Sequence, residues 1–209
     1  MQTGKLIIFE GPEKSGKSTQ MERATGFLIG AGYKVFTTKE PGGGFPDLRQ
    51  KIFALDPKDP ELPQKELALF EEDRAEHFSK VIIPAKNEGK IVLCDRNYPS
   101  TKAFQGYGRG MDLKMIDEAN RKATQGVEAD LIILFDILPE ETVRRIKKDN
   151  ETKVTRFEKE PREFHERVRQ GFLAQAKEDP DRWVVLDGVK SKEELTLLVQ
   201  KALKEKLGL

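Results

Sequence analysis

The feature that most constrains the fold is a glycine-rich segment between a short apolar run and a helix-compatible stretch. Leu6-Ile7-Ile8-Phe9 is followed by a match to the pattern G-x-x-x-x-G-K-[ST], which starts at Gly11 and ends at Ser18. In this pattern the glycines let the backbone wrap around phosphates, and the first N–H groups of the following helix point toward them. The segment therefore predicts a strand, a loop and a helix that bind a nucleoside triphosphate. The predicted contacts are Gly11, Pro12, Glu13, Lys14, Ser15, Gly16, Lys17, Ser18 and Thr19.

Two side chains of the loop have a predicted role of their own. Lys17 supplies a mobile cation for the β and γ phosphates. Ser18 supplies a hydroxyl for Mg²⁺, which prefers hard oxygen ligands and keeps several waters. We therefore expect Mg²⁺ to accompany the nucleotide.

Length and composition limit the class of protein. A chain of 209 residues predicts one core with an appended mobile segment. With 37 Lys+Arg against 36 Asp+Glu, the net charge of +1 argues for neither nucleic acid nor an anionic membrane as a partner. Cys94 is the only cysteine, which excludes an internal disulfide. The sequence lacks a signal-peptide pattern and an apolar stretch of bilayer length, so we expect a cytoplasmic protein.

Short apolar runs alternate with longer segments of helical periodicity. The runs, predicted to be strands, cover 5–10, 33–38, 91–95, 130–136 and 183–187. The predicted helices cover 17–31, 64–88, 112–124, 139–149, 161–178 and 191–206. This alternation is typical of an open α/β sheet with helices on both faces and ligands at the carboxyl ends of the strands.

Two stretches interrupt the pattern. Residues 56–63 hold three prolines and predict an exposed connector. Residues 147–162 are irregular and dense in charge. They fit either a solvated loop or a mobile basic lid that excludes water from a transferring phosphoryl group.

Asp95 and Arg96 follow the apolar run Ile91-Val92-Leu93-Cys94 directly. Such an aspartate can orient magnesium and its waters or receive a proton, and the arginine can clamp a phosphate at two points. An ion pair in a simple turn is the other interpretation of these two residues. The polar segment Ser100 to Gly106, immediately downstream, favours a binding site.

Several motifs in this order resemble the thymidylate kinase family, P-loop enzymes that move a phosphoryl group from ATP to dTMP. The matching segments are Phe9-Glu10-Gly11, Gly16-Lys17-Ser18-Thr19, Glu40-Pro41-Gly42-Gly43, Leu69-Phe70, Asp73-Arg74-Ala75-Glu76-His77, Asp95-Arg96 and Ser100 to Gly106. The resemblance implies a three-layer P-loop kinase fold, in which helices flank a five-stranded parallel sheet. It also implies one domain over 1–209 with a lid at 147–162, and a homodimer.

The resemblance assigns the acceptor side. It implies that Arg49 and Arg96 hold the dTMP phosphate and that the backbone around Glu40 and Pro41 approaches the acceptor closely. The remaining dTMP contacts that it implies are Phe70 and Arg74 at thymine, Phe104 under the deoxyribose, and Ser100, Thr101 and Gln105 toward the base. Other interpretations are a core position for Phe70, a surface position for Arg49 and helix capping by Ser100 or Thr101.

The resemblance also assigns the catalytic groups, which are Lys17, Lys14, Glu13, Asp95, Arg96 and Arg156, with Ser18 and Asp95 at the metal. Glu13 orients the acceptor-side network or the sugar hydroxyl in this scheme, and Arg156 assists from the lid. Arg144 supports the adenine ring. Lys14 departs from the family's usual arginine or glycine, and Asn97 stands where an aromatic residue or histidine is common.

The predicted reaction is in-line transfer from MgATP to dTMP. One alternative is a kinase for another nucleoside monophosphate or for a deoxynucleoside. A second alternative is a switch protein that binds GTP, although the sequence contains no Asn-Lys-x-Asp guanine signature.

Overall fold

A parallel sheet of five strands lies at the centre of the computed structural model, which describes residues 4–43, 45–148 and 155–208. The strands are β1 (Lys5–Glu10), β2 (Val35–Lys39), β3 (Ile91–Asp95), β4 (Leu131–Asp136) and β5 (Trp183–Asp187). Their order in the sheet is β2-β3-β1-β4-β5, and every pair is parallel. The predicted five-stranded parallel sheet is confirmed, and the strands begin and end within two residues of the predicted limits.

Helices flank the sheet. They are α1 (Lys17–Gly30), α2 (Pro46–Ala54), α3 (Leu62–His77), α4 (Ile83–Asn87), α5 (Tyr98–Thr101), α6 (Leu113–Ala123), α7 (Pro139–Lys148), α8 (Arg162–Glu178) and α9 (Lys192–Leu207). Two π-helical segments, Phe78–Ile82 and Lys102–Gly108, continue α3 and α5. Over the described ranges, none of the helices combines the length and the apolar character needed to cross a membrane.

The sheet has a hydrophobic cluster on each face, because successive side chains of a strand point to opposite sides. Leu6 and Ile8 of β1 belong to the cluster that packs against α4 and α8. Ile7 and Phe9 belong to the cluster that packs against α1 and α9. All four side chains are fully buried, which explains why β1 is a continuous apolar run.

Two sequence predictions need correction. The helix predicted over 64–88 begins at Leu62 and changes to π-helical geometry at Phe78 before α4. The predicted exposed connector 56–63 is therefore too long: Pro63 fits the first turn of α3, where a missing N–H costs nothing, and Leu62 is buried. The predicted lid, 147–162, includes residues 149–154, which lie outside the described ranges.

The strand register brings the functional segments together. In the strand register, Asp95 of β3 lies opposite Phe9 of β1 on one side and opposite Lys39 of β2 on the other. The three strands therefore end side by side. The glycine-rich loop follows β1, Arg96 follows β3, and Glu40 follows β2. The carboxyl edge of the sheet therefore carries all three segments.

Candidate active site

A cavity of about 990 Å³ opens at the carboxyl edge of the sheet. It extends from the phosphate loop and α7 to α2, α3 and the π-helical segment Lys102–Gly108. The structure places every predicted site residue along this cavity except Gly11 and Arg156. We name its two parts after the substrates that the sequence predicts for them: the donor half lies at the phosphate loop, and the acceptor half lies around Arg49, Phe70 and Phe104.

The phosphate loop requires glycine at Gly11. Its φ is +139°, and a Cβ atom there would lie 2.6 Å from the carbonyl oxygen of Phe135. Lys17 begins α1, and its ammonium group donates to the carbonyl oxygens of Gly11 at 3.1 Å and Pro12 at 2.8 Å. Burial lowers the pKa of Lys17 to about 8. The loop thus holds a desolvated cation next to the helix N-terminus, where anions bind favourably.

Ser18 and Asp95 meet across the ends of α1 and β3. The Ser18 hydroxyl donates to Oδ2 of Asp95 at 3.0 Å. Together they offer hard oxygen ligands of the kind that Mg²⁺ prefers. The residues that the structure describes contain no group of three or more acidic, histidine or cysteine ligands. A metal held by Ser18 and Asp95 would therefore take its other ligands from phosphates and water.

Arg96 has a constrained backbone and a guanidinium group that faces the cavity. Its φ is +66°, a left-handed value that is costly for a residue with a Cβ atom. Nη1 donates to the Ser100 hydroxyl at 3.3 Å and lies 3.8 Å from Glu10, and Nη2 lies 3.7 Å from Glu13. The guanidinium group also lies 5.6 Å from the Phe104 ring centroid. Arg96 thus lies between the phosphate loop and the acceptor half.

Glu10 supports Arg96 and is a residue that the sequence analysis did not select. Its buried carboxylate accepts from the backbone N–H of Asn97 at 3.0 Å and from the Ser100 hydroxyl at 2.7 Å. Burial raises the pKa of Glu10, although Arg96, those hydrogen bonds and Lys17 act in the opposite direction. An acidic residue at the end of an apolar strand was the available signal.

Other charged side chains fix the phosphate loop. Burial alone would raise the pKa of Glu13, but Lys17, Arg96 and Lys14 together lower it, so Glu13 is a stable anion at the loop. Arg145, which was not predicted, donates to the carbonyl oxygen of Lys14 at 3.1 Å.

Arg145 also donates to the carbonyl oxygen of Gly188 at 2.9 Å, which ties α7 to the segment after β5. Arg144 lines the cavity, but it is exposed and pairs with Glu141. The two neighbouring arginines of α7 therefore differ: Arg145 supports the phosphate loop, and Arg144 is exposed at the cavity mouth, where it is paired with Glu141.

Glu40 is the centre of a buried network below the acceptor half. Its Oε1 accepts from Nδ2 of Asn97 at 2.8 Å and lies 3.0 Å from Nδ1 of His77. Its Oε2 accepts from Nε of Arg74 at 3.1 Å. His77 in turn pairs with the Thr38 hydroxyl at 2.7 Å. Glu40 therefore connects β2, α3 and the segment after β3. The asparagine at position 97, where the family commonly has an aromatic residue or histidine, serves here as a hydrogen-bond donor to the Glu40 carboxylate.

Arg74 is almost fully buried and held on every side. Besides Glu40, it donates to Glu71 at 2.6 Å, Asn120 at 2.8 Å and Thr101 at 2.9 Å. Phe70 and Arg74 both line the cavity from α3, as their spacing predicted. Arg74 is consequently a rigid part of the acceptor half rather than a mobile arm.

Arg49 reaches the cavity from α2. It donates to the carbonyl oxygen of Pro41 at 3.2 Å and lies over the Phe53 ring at 4.8 Å. Gly42, with φ of +85°, lets the chain pass close to it, and a Cβ atom there would lie 2.8 Å from Cβ of Arg49. The N–H of Gly42 donates to both carboxylate oxygens of Asp73, at 3.1 and 3.0 Å. The turn after β2 is thus shaped around the Arg49 side chain.

Arg156 is placed differently from the other predicted residues. Its guanidinium group pairs with Glu66, a fully buried residue of α3, and donates to the carbonyl oxygen of Ile52 at 2.9 Å. Gln105, which lines the cavity, donates to the same Glu66 carboxylate at 2.9 Å. Arg156 therefore lies at the acceptor side of the molecule and not beside the phosphate loop, because the buried carboxylate draws its charge there.

Comparison with known proteins gives one consistent family. The family model for thymidylate kinase matches residues 9–198. The chain is 41% identical over 205 residues to a thymidylate kinase of Pelotomaculum thermopropionicum, covering 98% of this chain and 94% of that protein. It is 41% identical over 209 residues to a thymidylate kinase of Nitratidesulfovibrio vulgaris, covering 97% of each.

A solved structure agrees with these relatives. The crystal structure of thymidylate kinase from Ehrlichia chaffeensis matches with a TM-score of 0.74 and 33% identity, covering 96% of this chain and 98% of that chain. The similarity therefore extends over the sheet, its helices and the residues around the cavity. The chain belongs to the thymidylate kinase family.

Proposed function

We propose that this protein transfers the γ-phosphoryl group of ATP to dTMP and releases ADP and dTDP. The observation that carries the proposal is the continuity of one cavity between a phosphate loop and a pair of arginines on the acceptor side, Arg49 and Arg96. A phosphate acceptor is already a nucleophile at neutral pH. Catalysis then consists mainly of positioning the two nucleotides and neutralising their charge.

At the donor half, the loop N–H groups and Lys17 bind the triphosphate. Lys14, Lys17 and Arg96 counter the charge that develops on the transferring group. An oxygen of the dTMP phosphate attacks the γ-phosphorus, and the bond to the oxygen that bridges the β and γ phosphates breaks. That oxygen leaves on ADP, so no side chain has to form a covalent bond.

Ser18 and Asp95 would hold Mg²⁺, which neutralises charge on the phosphates when it is bound. Their oxygens are already within hydrogen-bond distance of each other, which supports this assignment. Chelation of Mg²⁺ by excess EDTA should abolish turnover. Asp95→Ala should raise the Mg²⁺ concentration required for half-maximal rate.

At the acceptor half, Arg49 and Arg96 would hold the dTMP phosphate. Phe70 offers a ring to the base, and Arg74 offers a fixed guanidinium edge at the cavity wall. Phe104 lies under the sugar in this scheme, with Ser100, Thr101 and Gln105 nearby. Asn97 and Glu40 keep these groups in position through the buried network.

The test is ADP release measured with dTMP, dUMP, dCMP, dGMP and thymidine as separate acceptors. We expect the highest kcat/KM with dTMP and no turnover without an acceptor. Equal rates with thymidine would favour a deoxynucleoside kinase. Hydrolysis that does not depend on an acceptor would favour a nucleotide-gated switch.

The resemblance to thymidylate kinases also supports a single catalytic domain, a homodimer and a cytoplasmic location. Sedimentation velocity at micromolar concentration tests the homodimer. A species with the mass of one chain at all concentrations would contradict it.

A further inference from the structure

Glu66 is a buried carboxylate that the proposed reaction does not use. It is fully enclosed on α3, four residues before Phe70 and therefore on the same face of the helix. Its Oε1 pairs with Arg156 and accepts from Nη2 of Arg109 at 3.0 Å. Its Oε2 accepts from Gln105 at 2.9 Å. A buried charge is retained only when it is paired and hydrogen-bonded, and Glu66 meets both conditions.

The partners of Glu66 fasten the residues just before α8 to the acceptor side. Arg156 bridges Glu66 on α3 and the carbonyl oxygen of Ile52 on α2. Arg109 also pairs with Glu160 through Nη1 at 2.6 Å. Residues 156 and 160 are thus both held against α3 through one carboxylate.

Phe157, between these two anchors, lies among the aromatic rings of the acceptor half. Its ring centroid is 5.7 Å from Phe104, 6.2 Å from Phe70 and 6.1 Å from Phe53. Its ring lines the cavity, and the Arg156 guanidinium lies 4.3 Å from its centroid. Phe157 therefore touches the residues assigned to the base and to the sugar.

We propose that Phe157 forms a wall of the acceptor half and contacts the nucleoside part of dTMP. Glu66 is the positioning residue that holds this wall in place through Arg156. The inference rests on the proposed function, because it takes dTMP as the occupant. It gives Arg156 a role in acceptor affinity and not in stabilising the transferring phosphoryl group.

The two roles of Arg156 predict opposite kinetics. Arg156→Leu and Phe157→Ala should each raise KM and Kd for dTMP by about 10-fold, as expected for one lost aromatic contact. Both should leave kcat and KM for ATP within about twofold, since Arg156 pairs with Glu66 and Phe157 lies among the rings of the acceptor half, away from the phosphate loop. If Arg156 instead stabilised the transferring group, Arg156→Leu would lower kcat by about 10² to 10³ with little change in KM for dTMP, and the inference would be overturned.

The Glu66→Gln variant tests the link between Glu66 and Phe157. Glu66→Gln should shift the dTMP constants at least as much as Arg156→Leu does, because Glu66 also binds Arg109 and Gln105. Because Arg156 acts on Phe157 together with Glu66, adding Arg156→Leu to Glu66→Gln should cause no further shift. Additive shifts would overturn the positioning role. Should Glu66→Gln fail to fold, Arg156→Leu still decides the matter, because Glu66 keeps Arg109 and Gln105 in that variant.

Arg182→Leu is the matched control. It removes a guanidinium group that pairs with Glu128 and Asp179 outside the cavity, so the dTMP constants should not change.

Steady-state kinetics, calorimetric titration with dTMP alone and a thermal melt of each variant provide the measurements. A wild-type protein without dTMP-dependent ADP release would overturn the proposed function and this inference with it. A dTMP-dependent wild type whose Arg156→Leu and Phe157→Ala variants keep normal dTMP constants would overturn the inference alone.

Discussion

At the scale of single residues, Lys17 shows how a binding group differs from a stabilising one. Its ammonium group is buried and rests on two carbonyl oxygens, so burial lowers its pKa from 10.5 to about 8. In the free protein, the charged form of Lys17 is therefore less stable than it would be in water. A bound triphosphate would supply the missing negative charge, which is the physical reason for the nucleotide-binding role that we propose for Lys17.

The lowered pKa predicts the pH dependence of catalysis. The free enzyme binds ATP productively when Lys17 is protonated, so kcat/KM for ATP should be constant below about pH 8 and fall as the pH rises through that value. In the complex, the phosphates favour the charged form, so kcat should stay level to higher pH. Initial rates between pH 7 and 10 provide the measurement.

The control for this profile is Lys17→Arg, whose guanidinium group does not titrate in that range. It should lower the rate but flatten kcat/KM above pH 8. A wild-type kcat/KM profile that stays flat to pH 10 would contradict the prediction, because it would show that loss of the Lys17 proton does not limit ATP binding in this range.

At the scale of secondary-structure elements, the turn after β2 and helix α2 form one unit. Gly42 passes against the side chain of Arg49, and Asp73 of α3 binds the Gly42 N–H. The conformation of this turn thus decides where Arg49, the arginine proposed to bind the acceptor, points. Arg49 can take this position only because residue 42 is a glycine and has no side chain.

Gly42→Ala should therefore raise KM for dTMP by about 10-fold or more, because the new methyl group displaces Arg49, which contributes a charge-assisted contact. KM for ATP should change little. Gly32→Ala is the matched control: its φ of +88° is almost the same, but no atom lies within 4 Å of the added Cβ. If both variants changed the dTMP constant equally, backbone strain and not Arg49 would be responsible.

Elements with a long, regular pattern were predictable from the sequence. Strands β1, β3 and β4 were, because each is an apolar run buried on both faces. Helix α1 was predictable as well, because the phosphate-loop pattern fixes its start. The change to π-helical geometry at Phe78 was not predictable, since the side-chain spacing around it still resembles an α-helix.

The residues that line the cavity were largely predictable from motifs, but the contacts that hold these residues in position were not. Glu66 and Arg156 lie 90 residues apart, and no local pattern indicates that they meet. Glu10 and Arg145 were missed for the same reason: their partners belong to other segments of the fold.

At the scale of the whole molecule, the two edges of the sheet have different tasks. The cavity occupies the carboxyl edge. At the opposite edge, Asp130 accepts from the Leu6 N–H at 2.8 Å and from Lys5 and Lys86 at 3.0 Å. Burial alone would raise the pKa of Asp130, but these hydrogen bonds together lower it.

Asp130→Asn should lower the free energy of unfolding at pH 7 by roughly 1.5–3 kcal/mol, the range for hydrogen bonds to a charged group. The lowered pKa means that the wild-type advantage is fully present above the ordinary value of 3.8 and is lost as the pH falls through the lower folded value. Urea unfolding at pH 7 and at pH values below 4 measures this. The kinetic constants should stay unchanged; a raised KM for either substrate would show that the two edges are coupled.

The network around Glu40 joins segments that are distant in the chain. Arg74 and Asn97 lie 34 and 57 residues from Glu40 in the chain, so the floor of the acceptor half assembles only after distant segments have met. A nascent or partly opened chain then has no place for the pyrimidine. Recognition of the monophosphate is therefore a property of the folded molecule, and loss of dTMP binding on warming would report that these long-range contacts have broken.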